Sequence, residues 1–123
     1  MNQVTVRNIT FGEGRPKICV PITGRTGEEI ALRTAELKAV KPDLAEWRAD
    51  WYEEVFDREK LETMLAWLRV ELGDLPLLAT FRTREEGGEQ SISAGAYEDF
   101  LRTVMDSGQA DLIDVELFRG EEL

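Results

Sequence analysis

The stretch from residue 44 to residue 81 reads LAEWRADWYEEVFDREKLETMLAWLRVELGDLPLLATF and predicts one strand–helix–strand unit. Its two ends, 44–47 and 77–81, are short and almost continuously apolar, which is typical of parallel strands covered on both faces. Between them, Asp57 is a suitable N-cap and Gly73 a suitable residue to end a helix. The apolar residues of this helix repeat at steps of three and four: Leu61, Met64, Leu65, Leu68 and Leu72.

The same alternation extends over the rest of the chain. Short apolar runs at 18–22 and 112–117 predict two more strands, and two more helices are predicted between the strands. One helix begins at the capping box Thr26–Glu29 and runs to about residue 39; the other lies between Ser93 and Gly108. The expected buried side of the helix between Ser93 and Gly108 carries Tyr97, Phe100, Leu101, Val104 and Met105. The order predicts a single α/β domain with four parallel strands and three helices.

Composition excludes several classes of function. The chain has 123 residues, with 15 Lys and Arg against 25 Asp and Glu, so its formal charge is -10 and a polyanion would be repelled. No apolar run has the roughly 18 residues of a membrane span, and residues 1–10 carry no apolar signal segment. We therefore expect no nucleic-acid or membrane partner and a cytoplasmic location. The lone Cys19 lies in an apolar run and is expected to be a small buried residue.

Histidine is absent from the sequence, which removes both the usual acid–base group and the commonest zinc ligand. The remaining chemistry lies in charged residues near the ends of the predicted strands. Glu46, Arg48 and Asp50 alternate at period two and are expected to share one side of a strand, while Asp114 and Glu116 alternate in the same way. Arginines next to carboxylates can bind a small polyhydroxylated carboxylic acid, and an ion-pair network is the alternative interpretation.

The same residues resemble the N-terminal half of a type I 3-dehydroquinate dehydratase. The segments that carry this resemblance are 12–14 (GEG), 16–22 (PKICVPI), 43–50 (DLAEWRAD), 76–83 (PLLATFRT), 86–88 (EGG) and 111–118 (DLIDVELF). The resemblance implies half of a (β/α)8 TIM barrel, in which residues 1–16 form a hairpin that covers the bottom and residues 17–123 form strands 1 to 4 with helices 1 to 3. The family removes water from 3-dehydroquinate through a Schiff base on a lysine, with a histidine that moves protons and with no cofactor or metal.

By this resemblance, Glu46, Arg48 and Arg82 would bind the substrate. Glu86 would support the histidine, and Asp50 and Asp114 would support the substrate-binding residues without contacting the substrate. The sequence departs from the family at Pro21, where members often carry a small polar residue.

The family's lysine and histidine belong to its second half, so we expect no catalytic residue in these 123 residues and no activity from this chain alone. A half-barrel would also leave two open sheet edges. We expect a homodimer of half-barrels. The alternatives are one half of a split active enzyme, paired with a separate C-terminal half, and a non-catalytic module that binds a small hydroxy acid or an anion.

Overall fold

The computed structural model describes residues 4–7, 9–11, 17–84 and 92–116. An antiparallel pair of strands comes first, β1 (Val4–Val6) and β2 (Ile9–Phe11). The remaining elements are β3 (Cys19–Ile22), α1 (Gly27–Val40), β4 (Leu44–Arg48), a 3-10 turn (Ala49–Trp51), α2 (Arg58–Leu72), β5 (Leu77–Thr80), α3 (Ala94–Ser107) and β6 (Leu112–Ile113). Within the described residues, β3, β4, β5 and β6 pair in that order, all parallel. The predicted fold class, half of a TIM barrel with an N-terminal hairpin, is confirmed.

The two faces of the parallel sheet differ in composition. On the outer face, Ile22, Trp47 and Ala79 lie in register and are fully buried in the core formed with the helices. On the opposite face, here called the inner face, Pro21 lies in register with Glu46, and Arg48 with Thr80. Partners in a parallel ladder point to the same side, so polar groups of neighbouring strands meet on the inner face.

Helix starts follow the predicted capping residues. The side chains of Thr26, Asp57 and Ser93 each accept a hydrogen bond from the backbone amide three residues later, at 3.2, 3.2 and 3.1 Å. The capping box differs in one detail, because the Glu29 carboxylate accepts from the amide of Arg25, at 2.7 Å, rather than from that of Thr26. All five predicted apolar residues of α2 are buried.

Two predictions of burial are wrong. Cys19 is exposed, because β3 is an edge strand of the sheet and Cys19 lies on its inner face. Met105 is 59% exposed, while Thr103 is buried in its place. The reason is that α2 packs on the side of α3 that carries Phe100 and Thr103.

The last strand is shorter than predicted, because β6 ends at Ile113. The amide of Asp114 still donates to the β5 carbonyl of Ala79 at 3.1 Å. Two residues later, the amide of Glu116 donates instead to the hydroxyl of Tyr97, at 3.0 Å. A side chain of α3 therefore replaces the strand partner from this point. Residue 117, the predicted end, lies outside the described residues.

Asp111 joins several elements at the N-terminal ends of the strands. Its carboxylate accepts from Arg7 of the hairpin turn at 3.0 Å, from Arg69 of α2 at 2.9 Å and from the amide of Leu77 at 2.9 Å. Partial burial alone would raise the pKa of Asp111, but the hydrogen bonds from Leu77 and Arg7 and the two arginine charges lower it below its usual value. Asp111 thus ties the hairpin to the bottom of the sheet.

No helix in the described parts of the chain is long and apolar enough to cross a membrane. The cytoplasmic location and the absence of a nucleic-acid partner stay predictions from the sequence.

Candidate functional site

The predicted substrate-binding residues converge at the C-terminal edge of the sheet. Glu46 and Arg48 lie on β4, Arg82 follows β5, and Asp114 follows β6. Since the strands are parallel and adjacent, these positions are neighbours in space although up to 68 residues separate them in sequence, from 46 to 114. The carboxyl ends of parallel strands are where ligands bind in α/β folds.

Asp50 links the two arginines of the site. It accepts two hydrogen bonds from Arg48, from Nε at 2.9 Å and from Nη2 at 2.8 Å, and one from the backbone amide of Arg82 at 3.1 Å. The prediction that Asp50 continues the strand is wrong, because the chain enters the 3-10 turn after Arg48. That turn brings the fully buried Asp50 carboxylate back onto the Arg48 guanidinium. A fork-to-fork pair of this kind fixes both the place and the plane of the guanidinium.

Arg82 lies between two carboxylates of the segment that follows β6. Its Nη2 donates to Asp114 at 2.8 Å, and its Nη1 lies 3.9 Å from Glu116. The side chain of Arg82 remains 34% exposed. A guanidinium has five N–H donors, so Arg82 can also bind a ligand carboxylate or hydroxyl from the open side.

Glu46 is held by a neighbouring strand. The hydroxyl of the buried Thr80 donates to Glu46 Oε2 at 2.8 Å, which leaves further lone pairs of the carboxylate for hydroxyl donors. On the edge strand β3, Pro21 is exposed and lies in register with Glu46. Nearby, desolvation and then the charge of Glu46 raise the pKa of the Cys19 thiol, which disfavours its reactive thiolate form.

Three residues that contact this site were not predicted as parts of it: Thr80, Thr83 and Tyr97. Their threonine and tyrosine hydroxyls reach carboxylates or backbone groups from other elements, which no local pattern reveals. Thr80 and Thr83 do belong to the motif 76–83, which was the available signal. Glu116 was predicted to face the same side as Asp114, and its carboxylate does approach the same arginine. Glu86 lies outside the described residues.

The resulting arrangement offers both guanidinium donors and carboxylate acceptors to a small organic acid. Arg48 pairs with Asp50, and Arg82 with Asp114 and Glu116, so each guanidinium has a carboxylate partner before a ligand arrives. The guanidinium groups can grip a carboxylate, and Glu46 can accept from hydroxyls. In the described part of the chain, no group of three His, Cys, Asp or Glu could hold a metal ion; that the protein needs no metal stays a prediction.

Comparison with known proteins shows the family of this chain. Residues 18–123 match the family described as Type I 3-dehydroquinase. The chain belongs to the type I 3-dehydroquinase family. Among its relatives, the 3-dehydroquinate dehydratase of Listeria welshimeri is 47% identical over 121 residues, which are 98% of this chain and 48% of the relative. That of Bacillus licheniformis is 47% identical over 119 residues, 97% of this chain and 47% of the relative.

Solved structures of this type I 3-dehydroquinase family have the same fold over the matched half. The crystal structure of type I 3-dehydroquinate dehydratase from Clostridium difficile with covalently modified comenic acid superposes with a TM-score of 0.93 at 47% identity, over 98% of this chain and 48% of that one. The 3-dehydroquinate dehydratase from Geobacillus kaustophilus gives a TM-score of 0.93 at 33% identity, over the same shares. The chain therefore spans about half the length of the relatives that it matches.

Proposed function

We propose that this chain forms the substrate-binding half of a 3-dehydroquinate dehydratase site, in which Glu46, Arg48 and Arg82 bind the substrate's hydroxyls and carboxylate. The observation that carries the proposal is that the buried carboxylate of Asp50 holds both the guanidinium of Arg48 and the backbone amide of Arg82. Family membership and the organic acid held by the Clostridium difficile relative support it. In a complete site, a second half would supply the lysine that forms the Schiff base and the histidine that moves protons in this step of the shikimate pathway.

We further propose that these 123 residues alone do not dehydrate the substrate. The sequence has no histidine, and its four lysines are Lys17, Lys38, Lys41 and Lys60. Lys17 precedes β3 at the N-terminal end of the sheet, and Lys38 and Lys60 are on helices. Lys41 caps the end of α1. A Schiff base needs a lysine within reach of the substrate ketone, and none of these four lysines lies on a strand; Lys60, in the first turn of α2, pairs with Glu54 at 3.3 Å.

Separate measurements of binding and of turnover test the proposed substrate contacts and the proposed lack of activity. Titration of the purified chain with 3-dehydroquinate, followed by calorimetry, should give measurable binding that Arg82→Ala weakens by at least about tenfold, since a charge-assisted contact is lost. The matched control is Arg102→Ala on the exposed face of α3, where the arginine pairs only with Glu98 among the contacts described, and it should leave the affinity unchanged. No binding, or equal affinities for both variants, would contradict the proposed site.

A dehydratase assay on the same sample should show no product above the rate without protein. Turnover that copurifies with the chain would refute the need for a lysine and a histidine from another segment. Turnover that appears only when a separately produced C-terminal half is added would support the split-enzyme alternative.

For assembly, we propose a homodimer in which the β3 edge of one copy meets the β6 edge of the other and the barrel closes as four plus four strands. Apolar side chains are exposed at or beside both edges: Ile18 next to β3, and Val115 after β6. Sedimentation equilibrium should give about twice 14.0 kDa. Val115→Asp should give a monomer, while Val70→Asp on the exposed side of α2 should not. A wild-type mass of 14.0 kDa would contradict the dimer.

A further inference from the structure

Glu116 is a buried carboxylate that the proposed substrate contacts do not use. Its side chain is only 5% exposed, and it accepts two hydrogen bonds from Thr83, from the backbone amide at 3.1 Å and from the hydroxyl at 2.9 Å. Thr83 directly follows Arg82, whose Nη1 is 3.9 Å from the same carboxylate. Glu116 therefore fixes the backbone on one side of Arg82.

The backbone of Glu116 is itself fixed by α3. Its amide donates to the Tyr97 hydroxyl at 3.0 Å, and that hydroxyl donates to the carbonyl of Asp114 at 3.4 Å. Tyr97 is fully buried, and its ring packs edge-on against Phe81 with 6.4 Å between the ring centroids. One tyrosine thus holds the segment after β6 where strand pairing has ended.

Asp114 and Glu116 contact Arg82 in different ways. Asp114 is 30% exposed and accepts directly from the guanidinium at 2.8 Å, so it can balance the charge of Arg82 by itself. The Glu116 side chain is nearly inaccessible to solvent and lies farther from the guanidinium. Each of its two carboxylate oxygens accepts a hydrogen bond from Thr83. Burying a carboxylate costs free energy unless several donors surround it, and the donors here are those that fix the peptide next to Arg82.

We propose that Glu116, held by Tyr97, is a positioning residue for Arg82. Its carboxylate locks the Arg82–Thr83 peptide, while the Asp50 carboxylate holds the Arg82 amide from the other side. The guanidinium then has one orientation on the inner face before a ligand arrives, so it loses little conformational entropy when an organic acid binds. The consequence for ligand affinity rests on the proposed function; the effect on the backbone of Arg82 does not.

The first measurement concerns Arg82 without ligand. In the whole chain labelled with ¹⁵N,¹³C-arginine, the signal of the Arg82 backbone amide, which donates to Asp50 at 3.1 Å, is assigned by its loss in Arg82→Lys. Glu116→Gln should speed exchange of this proton with water by at least about fivefold, because local opening becomes easier. The backbone amide of Arg33 in α1, which is labelled in the same sample, should keep its protection.

The second measurement is the affinity for 3-dehydroquinate. Glu116→Gln and Thr83→Val should each weaken binding by about tenfold, the effect of one hydrogen bond to a charged group. Thr83→Ser keeps the hydroxyl and should restore wild-type behaviour in both measurements. The matched control is Thr34→Val, which removes a buried hydroxyl bonded at 2.8 Å to the carbonyl of Ile30 in α1 and should change neither.

The outcomes separate the inference from the proposed function. Unchanged Arg82 exchange in Glu116→Gln would overturn the positioning role, whatever the affinity. Faster exchange, combined with an affinity that Arg82→Ala leaves unchanged, would keep the positioning role and contradict the proposed function. If Glu116→Gln does not fold, the comparison of Thr83→Val with Thr83→Ser decides, and equal exchange in these two variants would overturn the role.

Discussion

Replacing Asp50 by asparagine tests whether the alignment of the two arginines depends on a buried charge. The Asp50 side chain is fully buried and accepts two hydrogen bonds from Arg48 and one from the Arg82 amide. Asparagine has nearly the same shape, but its NH₂ group would face a guanidinium or an amide that is itself a donor. The variant loses an acceptor and leaves Arg48 without its buried counter-charge.

The size of the effect follows from this geometry. Breaking a buried ion pair costs about 3–5 kcal/mol, and one lost hydrogen bond to a charged group about 1.5–3 kcal/mol. The side chain of Arg48 is 21% exposed, so water can solvate part of its charge. We therefore expect Asp50→Asn to lower the free energy of unfolding by about 2–3 kcal/mol, within the range for one lost hydrogen bond to a charged group and below the range for a broken buried ion pair.

Urea unfolding at pH 7, followed by circular dichroism at one fixed protein concentration, measures this loss. With a slope of about 2 kcal/mol per molar urea, the midpoint should fall by roughly 1 M. Glu62→Gln is the control, because it breaks an exposed pair with Arg58 one helical turn away and should leave the midpoint unchanged. A midpoint for Asp50→Asn within about 0.2 M of the wild type would refute the reasoning that the buried Asp50 side chain stabilises the fold through its contact with Arg48.

Two further predictions concern stability away from the site. Asp111→Asn should lower the melting temperature at pH 7 by roughly 3–5 °C. Because the folded-state pKa of Asp111 lies below its unfolded value, its stabilisation is present above about pH 4 and is lost as the pH falls through the folded pKa. The difference in urea midpoint between wild type and variant should therefore shrink between pH 7 and pH 3, and a difference that stays constant would contradict the ion-pair account. Gly24→Ala should destabilise the fold, because an added Cβ would lie 2.8 Å from the backbone nitrogen of Ile30. In α3, the Cβ of Gly95→Ala would meet nothing within 4 Å, so this variant should be stabilised by up to about 1 kcal/mol. Melting temperatures of the two variants that shift in the same direction would contradict this steric explanation.

Much of the fold could be predicted from local sequence. The capping residues Thr26, Asp57 and Ser93 and the apolar stripe of α2 depend on contacts within three or four residues, which the spacing of residue types already encodes. The parallel strands followed from the nearly continuous apolar runs, but the expected cover on both faces is wrong, because Pro21 is exposed and Arg48 is partly exposed on the inner face. The motif segments also led to the family that the comparisons show. The errors at Cys19 and Met105 have a different origin, because burial at a sheet edge or a helix flank depends on which neighbour packs there.

Within the candidate site, the sequence alone named the proposed substrate-binding residues Glu46, Arg48 and Arg82, through period-two alternation and the resemblance. Only the tertiary structure decided how they are held. The Thr80–Glu46, Arg82–Asp114 and Thr83–Glu116 hydrogen bonds join residues 34, 32 and 33 positions apart, across neighbouring strands. Such contacts depend on strand register, on the 3-10 turn and on the point where β6 ends. The physical reason is that a hydrogen bond forms only where donor and acceptor lie about 3 Å apart in the folded chain. The local periodicity of the sequence does not specify which distant residues come that close.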